Sequence, residues 1–304
     1  MKDYAINYMD LANGERLAYR KAGDRGKTLL LIHGNLSSSI HYQILMNRLE
    51  RDYRIYAPDM RGFGHSSYEN PISSLRDLAM DIKEFVLKLD LKDIYVVGWS
   101  TGGGVAMELA TMIPERIKKI FLQSSVSVEG FSIYKKNKYL NFPISDSMYP
   151  LGDRIYKKID LEKDQFFVKP VLDAINKTNK RYIKLIWDYQ IYRENKPDKE
   201  EYDRYLDEIL LQRNLVDIYH ALTTFNITHA DNGVVAGNGR IDLIKAPVVI
   251  LHGDKDKVIE LESAEISKKH FGNRAQLVIF EGAGHSIFTD DMDGYCKQLL
   301  SRIV

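Results

Sequence analysis

The chain has 304 residues, 44% apolar and 28% charged, with 43 Lys and Arg against 42 Asp and Glu, a formal net charge of +1. Apolar and aromatic content at this level excludes a disordered chain, and the balanced charge gives no general attraction to nucleic acid or an anionic membrane. A single cysteine, Cys296, excludes an intrachain disulfide. With no apolar leader and no run near the roughly 20 residues that span a bilayer, a soluble cytoplasmic protein is expected.

In chain order, Tyr4–Met9 and Arg16–Lys21 flank Asn13-Gly14, a hairpin signal that predicts an antiparallel amino-terminal edge. Four short runs follow, Thr28–Ile32, Arg54–Ala57, Ile94–Val97 and Ile117–Leu122, each closed by a turn signal. They are rich in Leu, Ile and Val without polar alternation, the pattern of parallel strands covered on both faces. Amphipathic helices are predicted between them, at about Ser38–Glu50, Ser74–Leu89 and Thr101–Ile113, so the alternation implies a parallel sheet with right-handed crossovers. From about Val126 to Ile241 the strand rhythm stops and Lys, Asp, Glu and Tyr recur at helical spacing. Strands resume at Val248–Leu251 and Gln276–Glu281, and Asp290–Ile303 reads as a closing helix. A structureless loop that long is improbable in a compact domain. The expected division is therefore a core at 1–125 and 241–304 with a helical cap at 126–240, lying over the carboxyl edge of the strands where open α/β sheets bind ligands. Within the cap, residues 131–184 hold 12 basic and 6 acidic side chains while 188–208 hold 4 basic and 8 acidic, which reads as salt bridging between halves rather than a polyanion site.

The strongest chemical signal is Gly98-Trp99-Ser100-Thr101-Gly102, between a predicted strand and a predicted helix. Glycines two positions either side of the serine relieve crowding at a sharp turn that lifts the hydroxyl above the sheet, at a helix amino terminus whose N–H groups favour an anion. A serine hydroxyl needs a neighbouring base. Of the eight histidines, His285 in Gly282-Ala283-Gly284-His285-Ser286 follows the last strand on a flexible loop and can reach towards Ser100. His33 and His252 precede glycines at strand ends and are expected to bond to backbone. His65 sits in a loop, and His41, His220, His229 and His270 lack supporting context. The acid that orients the imidazole is expected after the penultimate strand, in His252-Gly253-Asp254-Lys255-Asp256-Lys257, with Asp256 favoured and Asp254 its rival. Asp59-Met60-Arg61-Gly62 reads as a loop-structuring ion pair. The oxyanion donors are expected to be Thr101 N–H and, from the loop His33-Gly34-Asn35-Leu36, Asn35 N–H, or Leu36 N–H if the register shifts by one. The Asn35 side chain is free either to contact substrate or to cap the next helix.

His33-Gly34, Ala57-Pro58-Asp59-Met60-Arg61-Gly62-Phe63-Gly64-His65-Ser66, the Ser100 turn, Asp256 and His285 occur in an order that resembles the α/β-hydrolase superfamily. That resemblance covers the chain outside the insertion. It implies an α/β fold with a mostly parallel eight-stranded sheet, helices on both faces, a cap inserted after the sixth strand, and a Ser-Asp-His order of the triad. Asn35 and Trp99 together are also similar to the acyl-homoserine-lactone hydrolases of this fold. Haloalkane dehalogenases share the pair, but Ser100 replaces their nucleophilic aspartate.

The expected activity is a serine hydrolase acting on a small or medium carboxylic ester or lactone through an acyl-enzyme on Ser100, without metal or organic cofactor. Trp99, Leu36 and Trp187 are candidate substrate contacts. Phe166, Phe167, Tyr189 and Tyr192 are further aromatic residues that could line an apolar tunnel or belong to the core. The alternatives are a ligand receptor or stress-signalling homologue with little turnover, and a C–C or thioester hydrolase using the same triad. The partner expected is a small molecule, with neither nucleic acid nor membrane, and the oligomeric state stays open.

Overall fold

The protein was analysed as a computed structural model that describes residues 2–134 and 154–303. One eight-stranded sheet organises the molecule. Its strands are β1 (Asn7–Asp10), β2 (Arg16–Ala22), β3 (Thr28–Ile32), β4 (Arg54–Pro58), β5 (Ile94–Trp99), β6 (Ile117–Gln123), β7 (Val248–Gly253) and β8 (Ala275–Phe280). The spatial order is β1-β2-β4-β3-β5-β6-β7-β8, with β2 antiparallel to both of its neighbours and every other pairing parallel. This is the expected α/β-hydrolase fold, with the antiparallel edge where Asn13-Gly14 placed it. Gly14 takes φ 87° in a five-residue connection closed by Leu11 N–H on the Glu15 carbonyl at 2.7 Å.

Strand side chains divide by parity. Leu29, Leu31, Val97, Phe121, Val249 and Leu251 join one buried cluster, while Leu30, Ile32, Val96, Leu122, Val248 and Ile250 join the other. A period of two with both faces apolar requires helices on both sides. The first cluster packs under α1 (Gln43–Leu49), α10 (Ile287–Asp290) and α11 (Met292–Leu300), the second under α2 (Leu75–Lys88), α3 (Thr101–Met112) and α9 (Leu261–Phe271). Two predicted helices are broken rather than continuous. The segment from Ser39 to Tyr42 is a tighter 3-10 turn before α1, and the closing helix is interrupted at Asp291, whose extended backbone (φ −141°) lets its side chain cap Gly294 N–H.

Between β6 and β7 the described residues form α4 (Lys158–Lys163), α5 (Val168–Asn176), α6 (Lys180–Gln190), α7 (Lys199–Ile209) and α8 (Leu215–Thr223), while 135–153 of the expected cap lie outside the described residues. The charge asymmetry is spent internally: Lys180 bridges Asp203 and Asp207 at 2.9 and 2.7 Å, and Lys184 and Lys196 both reach Asp188. Among the described residues no helix is long and apolar enough to cross a membrane.

The insertion is fastened to the sheet by buried polar contacts. Glu208 of α7 pairs with Arg20 of β2 and accepts from Ser38 and His65. On the other side Asp290 accepts the N–H groups of Arg193, Glu194 and Asn195 at 3.1, 2.8 and 3.1 Å. The expected Asp59–Arg61 ion pair does not form. Arg61 turns to Asp81 on α2 in a two-pronged bridge of 2.7 and 2.8 Å, and Asp59 instead accepts Ser39 N–H and His65 N–H. An arginine fork is satisfied by a carboxylate facing it squarely, which the neighbour two residues back cannot do.

Burial alone would raise the Glu208 pKa, but the hydrogen bonds from His65, Arg20 and Ser38 and the charge of Arg20 outweigh it and hold the carboxyl at about 2. The bond to Glu208 in turn raises the His65 pKa above 6.5. A depressed carboxyl stabilises the fold above its ordinary pKa, and a raised imidazole does so below its own. Glu208→Gln is therefore expected to lose a few kcal/mol relative to the parent, with the gap widest between the ordinary values of 4.5 and 6.5. Urea unfolding of both proteins from pH 3 to pH 9 would check this, and a gap independent of pH would refute it.

Candidate active site

Ser100 lies where β5 passes into α3, with φ 55° and ψ −119°, a region that costs a non-glycine residue of order 1–3 kcal/mol. Neighbouring contacts hold it there. Ser100 N–H donates to the Gln123 carbonyl at 3.0 Å, and the Ser100 carbonyl accepts from Gly103 and Val126. The turn also depends on close backbone approach: a Cβ on Gly102 would stand 2.1 Å from the Ile32 carbonyl oxygen. Only a glycine lets the helix amino terminus sit this near β3, which is the physical content of the G-x-S-x-G spacing. Ser100 is 8% exposed.

His285 sits on the loop after β8 and is 3% exposed. Its Nδ1 meets Asp256 Oδ2 at 2.8 Å. The other carboxylate oxygen of Asp256 accepts Val258 N–H and Ile259 N–H at 2.8 and 3.0 Å. Burial would raise the Asp256 pKa, yet the His285 and His252 rings and the Ile259 N–H outweigh it and keep the carboxyl below its ordinary value. Asp254 does other work: it accepts Gly282 N–H at 2.7 Å and pairs with Lys255, shaping the loop that carries His285. Of the two aspartates, Asp256 is the one on the imidazole.

Trp99 joins the serine to the histidine. Its indole N–H donates to the His285 carbonyl at 2.9 Å, and its ring packs against those of His41, Tyr42, Trp187, His285 and Phe288. Trp99 and Trp187, expected as substrate contacts, are both buried in this aromatic cluster, 2% and 1% exposed. Tyr192 packs on Trp187, whereas Phe166 and Tyr189 are exposed. His33 and His252 bond to backbone as expected, His33 accepting Met60 N–H at 2.9 Å and His252 meeting the Ile259 carbonyl at 2.8 Å. His41 is neither a surface residue nor fully satisfied: it is buried between Trp187 and Tyr205, its Nε2 has no hydrogen-bond partner among the described residues, and burial pushes its pKa down to about 3.

The loop after β3 lies directly over the serine. A Cβ on Gly34 would be 2.9 Å from the Ser100 Cβ. Thr101 N–H, at the first position of α3, has no carbonyl one turn back to bond within the helix. Asn35 N–H has no hydrogen-bond acceptor among the described residues, whereas Leu36 N–H is taken by the Gln212 side chain at 3.0 Å, which removes Leu36 as the alternative donor. The Leu36 side chain is partly buried against the core. The Asn35 side chain neither caps a helix nor stands free: its Oδ1 accepts from Gln212 at 2.8 Å. Gln212 was not anticipated, because one glutamine in a polar insertion carries no local signal. Among the described residues no group of three or more His, Cys, Asp or Glu side chains is placed to hold a metal ion.

The profile of the alpha/beta hydrolase fold family matches residues 27–291. The chain is 25% identical to 2-hydroxymuconate semialdehyde hydrolase from Pseudomonas sp. (strain CF600), over 90% of this chain and 86% of that protein. It is 24% identical to Lipase 1 of Psychrobacter immobilis, over 96% of this chain and 81% of that one. Among solved structures, an esterase from Exiguobacterium antarcticum aligns with a TM-score of 0.73 at 18% identity, covering 97% of this chain and 98% of that one, a likeness of fold. The sheet order, the strained serine at its centre and a family match across most of the chain agree, and the protein belongs to the α/β-hydrolase fold family.

Proposed function

We propose that this protein is a serine hydrolase that cleaves a small or medium carboxylic ester or lactone through an acyl-enzyme on Ser100. The observation that carries the reading is the strained Ser100, joined through Trp99 to a buried His285 that is already hydrogen-bonded to an ionised Asp256. In this reading Ser100 Oγ attacks the substrate carbonyl carbon and passes its proton to His285 Nε2. Asp256 keeps the proton on Nδ1 and stabilises the imidazolium. The negative charge on the former carbonyl oxygen is received by Thr101 N–H and Asn35 N–H, each such donor being worth about 10²–10³ in rate. The C–O bond then breaks, and the leaving alkoxide takes the proton from His285. Water, deprotonated by the same imidazole, attacks the acyl-enzyme and releases the carboxylic acid and the serine.

The inserted helices at 126–240 act as a cap in this proposal. The low exposure of Ser100 and His285 favours a substrate that fits an enclosed site over a polymer on an open surface. Likeness to a lipase supports ester chemistry, and likeness to a 2-hydroxymuconate semialdehyde hydrolase supports a second reading in which the same triad cleaves a carbon–carbon bond.

Two experiments test the assignment. Acid release from a panel of acyl esters, acyl-homoserine lactones and 2-hydroxymuconate semialdehyde, followed by pH-stat, should vanish in Ser100→Ala, and a fluorophosphonate should label Ser100 alone. Label on a different serine would be decisive against it. Asp256→Asn should fold with a near-parental unfolding midpoint yet lose roughly 10⁴-fold in kcat, since the amide cannot hold the imidazole in the required tautomer. A loss under tenfold would remove Asp256 from the mechanism.

A further inference from the structure

Resting on the proposed acyl transfer at Ser100, we infer that Gln212, carried by the insertion between α7 and α8, is a positioning residue that sets the oxyanion donor at Asn35. Gln212 is 3% exposed and uses both ends of its amide. Oε1 accepts Leu36 N–H at 3.0 Å, and Nε2 donates to Asn35 Oδ1 at 2.8 Å and Asn214 Oδ1 at 3.0 Å. The orientation of the amide follows from its neighbours. A backbone N–H can only donate, so Oε1 must face Leu36. Asn214 Nδ2 donates to the Arg61 carbonyl at 2.7 Å, which turns its own oxygen towards Gln212.

These bonds act on a loop that needs holding. Leu36 has φ 52°, the left-handed region that a leucine seldom occupies, a conformation that persists only where the surroundings hold it. Gln212 consumes the Leu36 donor and ties down the Asn35 side chain. Of the two neighbouring donors in the loop, only the Asn35 N–H is left for a ligand. Gln212 touches neither the serine nor the histidine. Its effect is to fix where the Asn35 N–H points, and it makes the insertion part of the catalytic apparatus as well as a cover. A glutamate could accept from Leu36 but would set a carboxylate oxygen against Asn35 Oδ1, so the role requires an amide.

The test compares Gln212→Ala, the near-isosteric Gln212→Glu and Arg213→Ala. The Arg213 guanidinium fastens the same segment to the Ser66 carbonyl, while its backbone N–H on the Gly62 carbonyl survives the substitution, so Arg213→Ala reports what loosening the segment does by itself. The readouts are the second-order rate of Ser100 labelling by a fluorophosphonate, kcat and KM on an ester that the parent protein cleaves, and the affinity of a trifluoromethyl ketone that forms a tetrahedral oxyanion on the serine. Both Gln212 variants should lose about 10- to 100-fold in labelling rate and in kcat at little change in KM, with inhibitor affinity falling in parallel. Arg213→Ala should keep the parental labelling rate. Gln212 variants that label at the parental rate would overturn the inference and leave the role of Ser100 standing, as would an equal loss in Arg213→Ala. If the Ala variant does not fold, the Glu variant alone decides by the same readouts. A parent protein in which Ser100 is never labelled would overturn the acyl-transfer reading and this inference with it.

Discussion

The site depends on the backbone of Ser100 being held at φ 55°. A serine adopts that conformation only when the surroundings leave no other, and here they come from two strands and a loop. β6 receives its N–H through Gln123, β3 presses its carboxyl end against Gly102, and Val126 in the loop beyond β6 returns a hydrogen bond to the Ser100 carbonyl. The strain is therefore stabilised by the parallel pairing of β3, β5 and β6, the centre of the sheet and its least yielding part. Helix α3 has apolar and small residues nearly all round because it is buried on every side, which lets its amino terminus come so close to the strand ends.

Around this fixed point the remaining parts differ in origin. The Asp256–His285 pair belongs wholly to the core: both loops leave neighbouring strands β7 and β8, and Asp254 stitches one loop to the other through Gly282. The loop over the serine is built differently. Its chain comes from β3, but its conformation is completed by Gln212 of the insertion. An insertion fastened by Arg20–Glu208 on one flank and by Asp290 on the other holds that loop from above. In the proposed chemistry, changes in the inserted helices would thus reach the loop over the serine without touching the serine, the histidine or the aspartate.

What was legible in the sequence was whatever the chain writes locally. Strand runs, the Asn13-Gly14 turn, the G-x-S-x-G turn and the histidine on its glycine loop each announce themselves within a few residues. The features that escaped pair residues far apart. Arg61 finds Asp81 rather than Asp59 because α2 brings a carboxylate into the plane of the fork. Leu36 and Asn35 are bound by residues some 176 and 177 positions later, at a distance where sequence spacing carries no information. Trp99 was visible as part of the site, but the bond it makes was not. Its N–H binds the His285 carbonyl, a contact that exists only after β5 and the last loop have been folded together.

The second histidine beside Asp256 explains why burial serves the proposed chemistry. His252 Nε2 is 3.6 Å from Asp256 Oδ2 and 2.8 Å from the Ile259 carbonyl. A carbonyl can only accept, so Nε2 carries the proton, and Nδ1 is left buried with no hydrogen-bond partner among the described residues. Burial, working against the charge of Asp256, lowers the His252 pKa, and the ring stays neutral at physiological pH. Were it cationic, it would neutralise Asp256 in the resting protein and weaken the stabilisation of the imidazolium that forms on His285 in the transition state. As a neutral ring whose Nε2–H is engaged by the Ile259 carbonyl, it does not compete for the carboxylate's charge. The unpartnered Nδ1 is the cost of that neutrality, and it leaves the full negative charge of Asp256 available to His285.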